Sequence, residues 1–220
     1  MTKQERITRI LDYFHAQQPE ITTELEFGSV FQLLCAVVLS AQCTDRRVNL
    51  VTPELFRHYP TPEAMAKAEP DDVLEYVKSV SYPNAKSLHL VQLARKLVTD
   101  FRGEVPRTMD ELTSLPGVGR KTANVMLAVA FGEDAMPVDT HVFRVSHRLG
   151  FVTKAANTPE KVERQLVKVI PTHLLSRAHH WLLLHGRYVC TARRPKCGEC
   201  PVSQYCSKRP LLTSPKGRKL

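Results

Sequence analysis

Apolar residues recur along this chain at three- and four-residue intervals almost everywhere, and strict apolar/polar alternation is found almost nowhere. A 3.6-residue period puts such residues on one face of a helix, whereas a strand needs a period of two, so the pattern predicts an all-α protein. Ile7, Ile10, Leu11 and Phe14 mark a first helix, Phe27 to Leu39 a largely buried one, and Thr44 to Phe56 a third that opens on a Thr cap. Further helices are expected over 63–68, 71–79, 85–101, 107–115, 120–131, 140–149, 159–170 and 174–186, with Pro and Gly between them. The strongest apolar runs, 30–39 and 125–131, fall short of the roughly 18 residues of a membrane span, so no membrane partner is expected. No apolar core with a small-residue cleavage site follows Met1, and a cytoplasmic location is expected.

Charge narrows the partner. The 220 residues carry 31 Lys and Arg against 22 Asp and Glu, a net of +9, but residues 1–100 are net −2 and residues 101–220 net +11. From Arg187 onward only Glu199 opposes nine basic residues, the footprint of a polyphosphate ligand, and nucleic acid leads anionic lipid. The stretch Ser207 to Leu220 reads most simply as a solvated tail. Arg193, Arg194 and Lys196 differ, because cysteines flank them.

Cys35 and Cys43 lie in or beside an apolar segment and read as small buried hydrophobes. Cys190, Cys197, Cys200 and Cys206 place four thiols in 17 residues, spaced C-x6-C-x2-C-x5-C. In a reducing compartment such a set suits tetrahedral zinc or a 4Fe-4S cluster rather than disulfides, and spacing alone does not choose. Electrostatics leans toward the cluster, whose four-thiolate form carries about −2 that Arg187, Arg193, Arg194 and Lys196 can offset. The metal is then structural, pinning a loop that holds its cations toward a phosphate backbone.

Leu115-Pro116-Gly117-Val118-Gly119-Arg120-Lys121 forms a tight turn ahead of a helix. The backbone amides of Gly117, Val118 and Gly119, with the positive helix end, can hold an anion, although a plain helix-helix turn has the same composition. Lys121 is the odd residue, since a lysine in a first helical turn opposes the dipole.

That hairpin, the segment Val138-Asp139-Thr140-His141-Val142-Phe143-Arg144, the stretch Leu39-Ser40-Ala41-Gln42-Cys43-Thr44-Asp45 and the cysteine array after His185-Gly186-Arg187 together resemble the endonuclease III family. These are helix-hairpin-helix DNA glycosylases with AP-lyase activity, and the resemblance runs from about Ile7 to Cys206. It implies two helical domains flanking a DNA-binding cleft. One is a six-helix domain with the hairpin, here 22–132; the other, 1–21 with 133–220, bears the cluster. It implies a 4Fe-4S cluster on Cys190, Cys197, Cys200 and Cys206. The implied partner is double-stranded DNA containing damaged bases or abasic sites, and the implied setting is a bacterial, nucleoid-associated monomer.

On the same resemblance Lys121 is the nucleophile and Asp139 its partner. A neutral amine that attacks C1′ displaces the damaged base and leaves a Schiff base, which acidifies the C2′ proton for β-elimination, so one residue serves both activities. At a reference pKa of about 10.4 only roughly one lysine in 2,500 is neutral at pH 7, and burial with the helix N-terminus is expected to raise that fraction. Asp139 as a carboxylate favours the ammonium, so its role is assigned to developing positive charge on the sugar and to proton transfer. It also reads as a helix N-cap.

The target nucleotide must leave the stack and its gap must be filled. Gln42 matches the family's gap-filling glutamine, though it also reads as a polar helix end. A second wedge in the family comes from a Gly-hydrophobic-Tyr-Asn-x-Lys loop, where this chain has Ser81-Tyr82-Pro83-Asn84-Ala85-Lys86. Tyr82 keeps a stacking face, while Pro83 is expected to confine it to extended backbone and the missing glycine to limit the turn. Histidines such as His141, His179 and His180 read as structural and Trp181 as core. Two rival readings are a monofunctional adenine mismatch glycosylase and a non-catalytic metal-stapled DNA-binding protein. The first lacks a lysine at the Lys121 position and usually carries a long further domain; the second has no use for Lys121.

Overall fold

The computed structural model describes residues 1–208; of the expected solvated tail Ser207 to Leu220, Ser207 instead donates its hydroxyl to the Arg148 carbonyl at 3.0 Å, and the stretch from Arg209 to Leu220 lies outside the described residues. Among the described residues there are eleven α-helices, two short 3-10 turns and no strand, and no helix is long and apolar enough to cross a membrane. The chain divides into two compact units, Thr23–Glu133 and Met1–Thr22 together with the chain from Asp134.

The first unit holds α2 (Val30–Ser40), α3 (Asp45–His58), α4 (Pro62–Ala66), α5 (Pro70–Val77), α6 (Pro83–Phe101), α7 (Met109–Thr113) and α8 (Arg120–Val129). The resemblance implies six helices; there are seven here, two of which, α4 and α7, have only five residues. The second holds α1 (Lys3–Gln17), α9 (Thr140–Leu149), α10 (Pro159–Val169) and α11 (Leu175–Tyr188). Helix starts are written chemically. Thr2, Ser29, Thr44, Thr61, Thr108, Asp139 and Thr158 each accept the N–H three residues on, satisfying a donor that the helix leaves open. Pro62, Pro70, Pro83 and Pro159 open α4, α5, α6 and α10, where the missing N–H costs nothing. Ser29 also explains why α2 begins at Val30 and not at Phe27, as the apolar run suggests.

α2 is the core of its unit: Phe31 and every residue from Leu33 to Leu39 are buried, and α3, α6 and α8 pack around it. In the other unit Ile7, Ile10, Leu11 and Phe14 meet Val142, Val145, Leu149, Val162, Leu166 and Trp181. Trp181 is core as expected, with Nε1 donating to the Gln18 carbonyl at 2.9 Å. His179 and His180 are buried, and His179 Nδ1 lies 2.8 Å from the Pro137 carbonyl. Cys35 is fully buried, and burial pushes its thiol far up. Cys43 is only partly buried, because it follows the end of α2 and borders the core instead of entering it.

Candidate functional site

In the first unit the hairpin joins α7 to α8. Gly117 has φ +77°, and a Cβ there would lie 3.0 Å from His89 Cβ, so only glycine makes this turn against α6. Val118 departs from its expected role. Its side chain is 6% exposed in the core and its N–H donates to the Leu115 carbonyl at 3.1 Å, so it anchors the turn and offers no bare amide. Gly119 caps α8 with no side chain, and a Cβ there would meet nothing within 4 Å. The chain itself does not require glycine at this point, and its absent side chain leaves the helix N-terminus open. Lys121, in the first turn of α8, is exposed, not buried as expected, because α8 turns Ala123, Asn124 and Met126 inward and Lys121 outward.

Elsewhere in this unit a second turn brings two of the sequence candidates together. Gln42 (φ 55°) and Tyr82 (φ 56°) are both in left-handed backbone, which costs a non-glycine residue roughly 1–2 kcal/mol. Tyr82 is therefore not extended. Pro83 takes the first position of α6, and the chain enters that helix through a left-handed step at Tyr82. Nor does the missing glycine prevent the turn, since the Ser81 hydroxyl donates to the Gln42 carbonyl at 2.7 Å and ties the two segments. Behind them Lys86, 5% exposed, donates Nζ to the carbonyls of Leu39 at 2.7 Å and Ala41 at 2.6 Å. α2 has no basic residue in its last turn, so this ammonium from α6 supplies the cation that a helix C-terminus favours. Burial lowers the Lys86 pKa from the usual lysine range, opposed by the nearby Cys43.

The second unit places Asp139 at the N-terminus of α9, where Oδ1 accepts the Val142 N–H at 2.7 Å. The cap role read from sequence is present and occupies one carboxylate oxygen. Further along α9, Arg144 donates Nη2 to the Gly186 carbonyl at 2.9 Å and Nε to that of Cys190 at 3.2 Å. One turn on, Arg148 reaches the carbonyls of Thr191 at 2.7 Å and Ala192 at 2.8 Å, with Nη1 3.5 Å from Cys190 Sγ. Gly186 permits this closeness, since a Cβ there would lie 2.9 Å from His141 Cβ. The loop so held carries Arg193, Arg194 and Lys196 exposed on its surface. Arg148, within 3.5 Å of the Cys190 sulfur, was passed over by sequence reasoning in favour of Arg187 and the loop's own cations.

Cys190, Cys197, Cys200 and Cys206 line one hollow with His185 and Lys196, and none is in a disulfide. Burial pushes the Cys200 thiol up, and the other three cysteines act in the same direction. Four thiols around one hollow supply the donor set of an iron-sulfur cluster, which binds them as thiolates. His185, held neutral with its pKa down to about 4 by burial, lies with Nε2 3.7 Å from Cys200 Sγ.

Comparison with known proteins agrees with this layout. Residues 35–172 match the HhH-GPD superfamily base excision DNA repair protein family, and residues 190–206 match the iron-sulfur binding domain of endonuclease III. Endonuclease III of Rickettsia conorii is 45% identical over 91% of this chain and 94% of its own. That of Escherichia coli K12 is 44% identical over 94% and 96%. The chain belongs to the endonuclease III family. A solved trapped endonuclease III–DNA covalent intermediate superposes with a TM-score of 0.89, at 42% identity, covering 96% of this chain and 98% of that one. A thermostable thymine-DNA glycosylase, 22% identical with a TM-score of 0.83, shares the fold.

For an endonuclease III the cofactor choice left open by spacing is resolved as a 4Fe-4S cluster, which the four-thiol hollow fits in donor number and type. Sequence reasoning missed Lys86 and Arg148 as organisers of the two loops. Both left a trace. Lys86 falls on the apolar stripe of α6 with Leu90, Leu93 and Leu97, a position where a lysine needs buried acceptors, and Arg148 follows Arg144 by one turn on α9.

Proposed function

We propose that this chain is a bifunctional base-excision glycosylase and AP lyase that removes oxidised or otherwise damaged pyrimidines from double-stranded DNA as a monomer. The observation that carries the reading is Lys121, exposed in the first turn of α8 directly behind a hairpin whose Gly119 leaves the helix N-terminus open. Its amine attacks the sugar C1′, the bond to the damaged base breaks, and the base leaves with a proton. The resulting iminium acidifies C2′–H; loss of that proton expels the 3′ phosphate oxygen, and water then releases the amine. Because Lys121 is exposed in the free protein, its desolvation comes from the DNA that covers it.

Asp139 stabilises positive charge on the sugar and moves a proton, with the oxygen that the cap leaves over. Cys190, Cys197, Cys200 and Cys206 hold the 4Fe-4S cluster, which supplies a rigid, electron-rich core around which the loop is ordered. Gly117 and Gly119 shape the hairpin's anion site, Arg193, Arg194 and Lys196 contact phosphates, and Gln42 and Tyr82 fill the gap in the stack. The domains that carry these groups are 22–132 and, for Asp139 and the cluster, 1–21 with 133–220. Borohydride reduction on abasic duplex traps the wild-type protein covalently, and Lys121→Ala gives no adduct, a loss on the order of 10³-fold or more. Wild-type protein that binds the duplex but yields no adduct overturns the lyase.

A further inference from the structure

Among the described residues only three non-glycine positions have positive φ: Gln42, Tyr82 and Arg102. Arg102 ends α6, an ordinary place for left-handed backbone. Gln42 and Tyr82 instead open outward, exposed, from two chain segments that the Ser81–Gln42 hydrogen bond joins. Strain of this kind persists only where the surroundings over-determine it.

Besides local turn hydrogen bonds, two long-range ties hold these segments. Ser81 joins the turns at the surface, and Lys86 grips the departing end of α2 from beneath through two carbonyls, Leu39 and Ala41. Lys86 sits one turn into α6, so one side chain fixes both the exit of α2 that leads into Gln42 and the entry of α6 that follows Tyr82. A side chain 64% exposed gives Tyr82 a free ring face, and the strained backbone keeps it from folding back.

We infer that Lys86 is a positioning residue that holds Gln42 and Tyr82 as a preassembled two-part wedge, so that the gap left by an extruded nucleotide is filled without reordering either loop. The inference rests on the glycosylase reading, since it assigns how that activity opens a paired duplex. Lys86 touches no DNA in this scheme. Its effect reaches the reaction through extrusion, and a site that is already unpaired does not need it.

The test compares two substrates: a paired duplex with a single 5-hydroxycytosine, scored by single-turnover base excision, and an abasic site inside an unpaired bubble, scored by borohydride trapping. For Lys86→Met the ratio of excision to trapping falls about tenfold or more, the scale on which a small misplacement acts. The fluorescence rise of a 2-aminopurine beside the lesion, which reports unstacking, shrinks with it. Ser81→Ala, which removes only a surface hydrogen bond, moves the ratio a few-fold in the same direction. An unchanged ratio in folded Lys86→Met overturns the inference; should that variant fail to fold, an unchanged ratio in Ser81→Ala does so. Absent trapping by the wild-type protein overturns the activity reading instead, so the two failures are distinct.

Discussion

The turn that leaves α2 and the loop that leaves α11 are built on one device and completed differently. Each begins at a helix C-terminus, and each is held by cations from another helix that donate to backbone carbonyls: Lys86 to those of Leu39 and Ala41, Arg144 and Arg148 to those of Gly186, Cys190, Thr191 and Ala192. At the first turn the protein's own hydrogen bonds suffice, and the surplus appears as two left-handed residues at Gln42 and Tyr82. At the second they do not, because four thiols still surround a hollow. A loop can be fastened at its base by arginine yet need a cofactor to close its far end.

Removal of the cofactor should split the two most sharply. Chelating the iron, or Cys200→Ser, is expected to bleach the visible absorption and to destabilise the unit bearing the cysteines by about 5 kcal/mol or more, since metal binding is folding free energy in such loops. Protection of the α2 turn in hydrogen exchange should persist; equal loss at both turns would mean that they are not independently built. Arg148→Met strands the Thr191 and Ala192 carbonyls and should cost about 2–4 kcal/mol, read as earlier thermal bleaching of the cluster. Lys86→Met should cost about 2–3 kcal/mol in thermal unfolding with the visible spectrum intact, because its acceptors lie in the other unit. Tyr82→Gly is the smallest: relief of φ 56° offsets the added freedom of the unfolded chain, and stability should stay within about 1 kcal/mol of wild type. A large loss there would show that the ring, and not only the backbone, supports the turn.

These same residues mark where the sequence stops being legible. Helix positions are local facts, written in periodicity, in caps such as Ser29, Thr44 and Asp139, and in prolines at helix starts, and α9 begins and ends where the pattern puts it. The hairpin and the cysteine array are local as well. Lys86 acts on a carbonyl 47 residues away and Arg148 on one 43 away, and no window of a few turns contains both partners. Tyr82 failed for another reason: the rule that a residue before proline is extended describes an isolated dipeptide, and tertiary ties overrode it. Val118 failed because a turn read from glycines says nothing about which way its one large side chain faces.

One helix has a double duty. The ten residues of α9 present the Asp139 carboxylate at one end and, nearer the other, the two guanidinium groups that grip the cysteine loop. A rod so short does not bend appreciably, so the position of the cysteine loop and the direction of the Asp139 carboxylate become a single mechanical variable. Loosening of the cysteine loop would then be felt at the Asp139 end of the same helix.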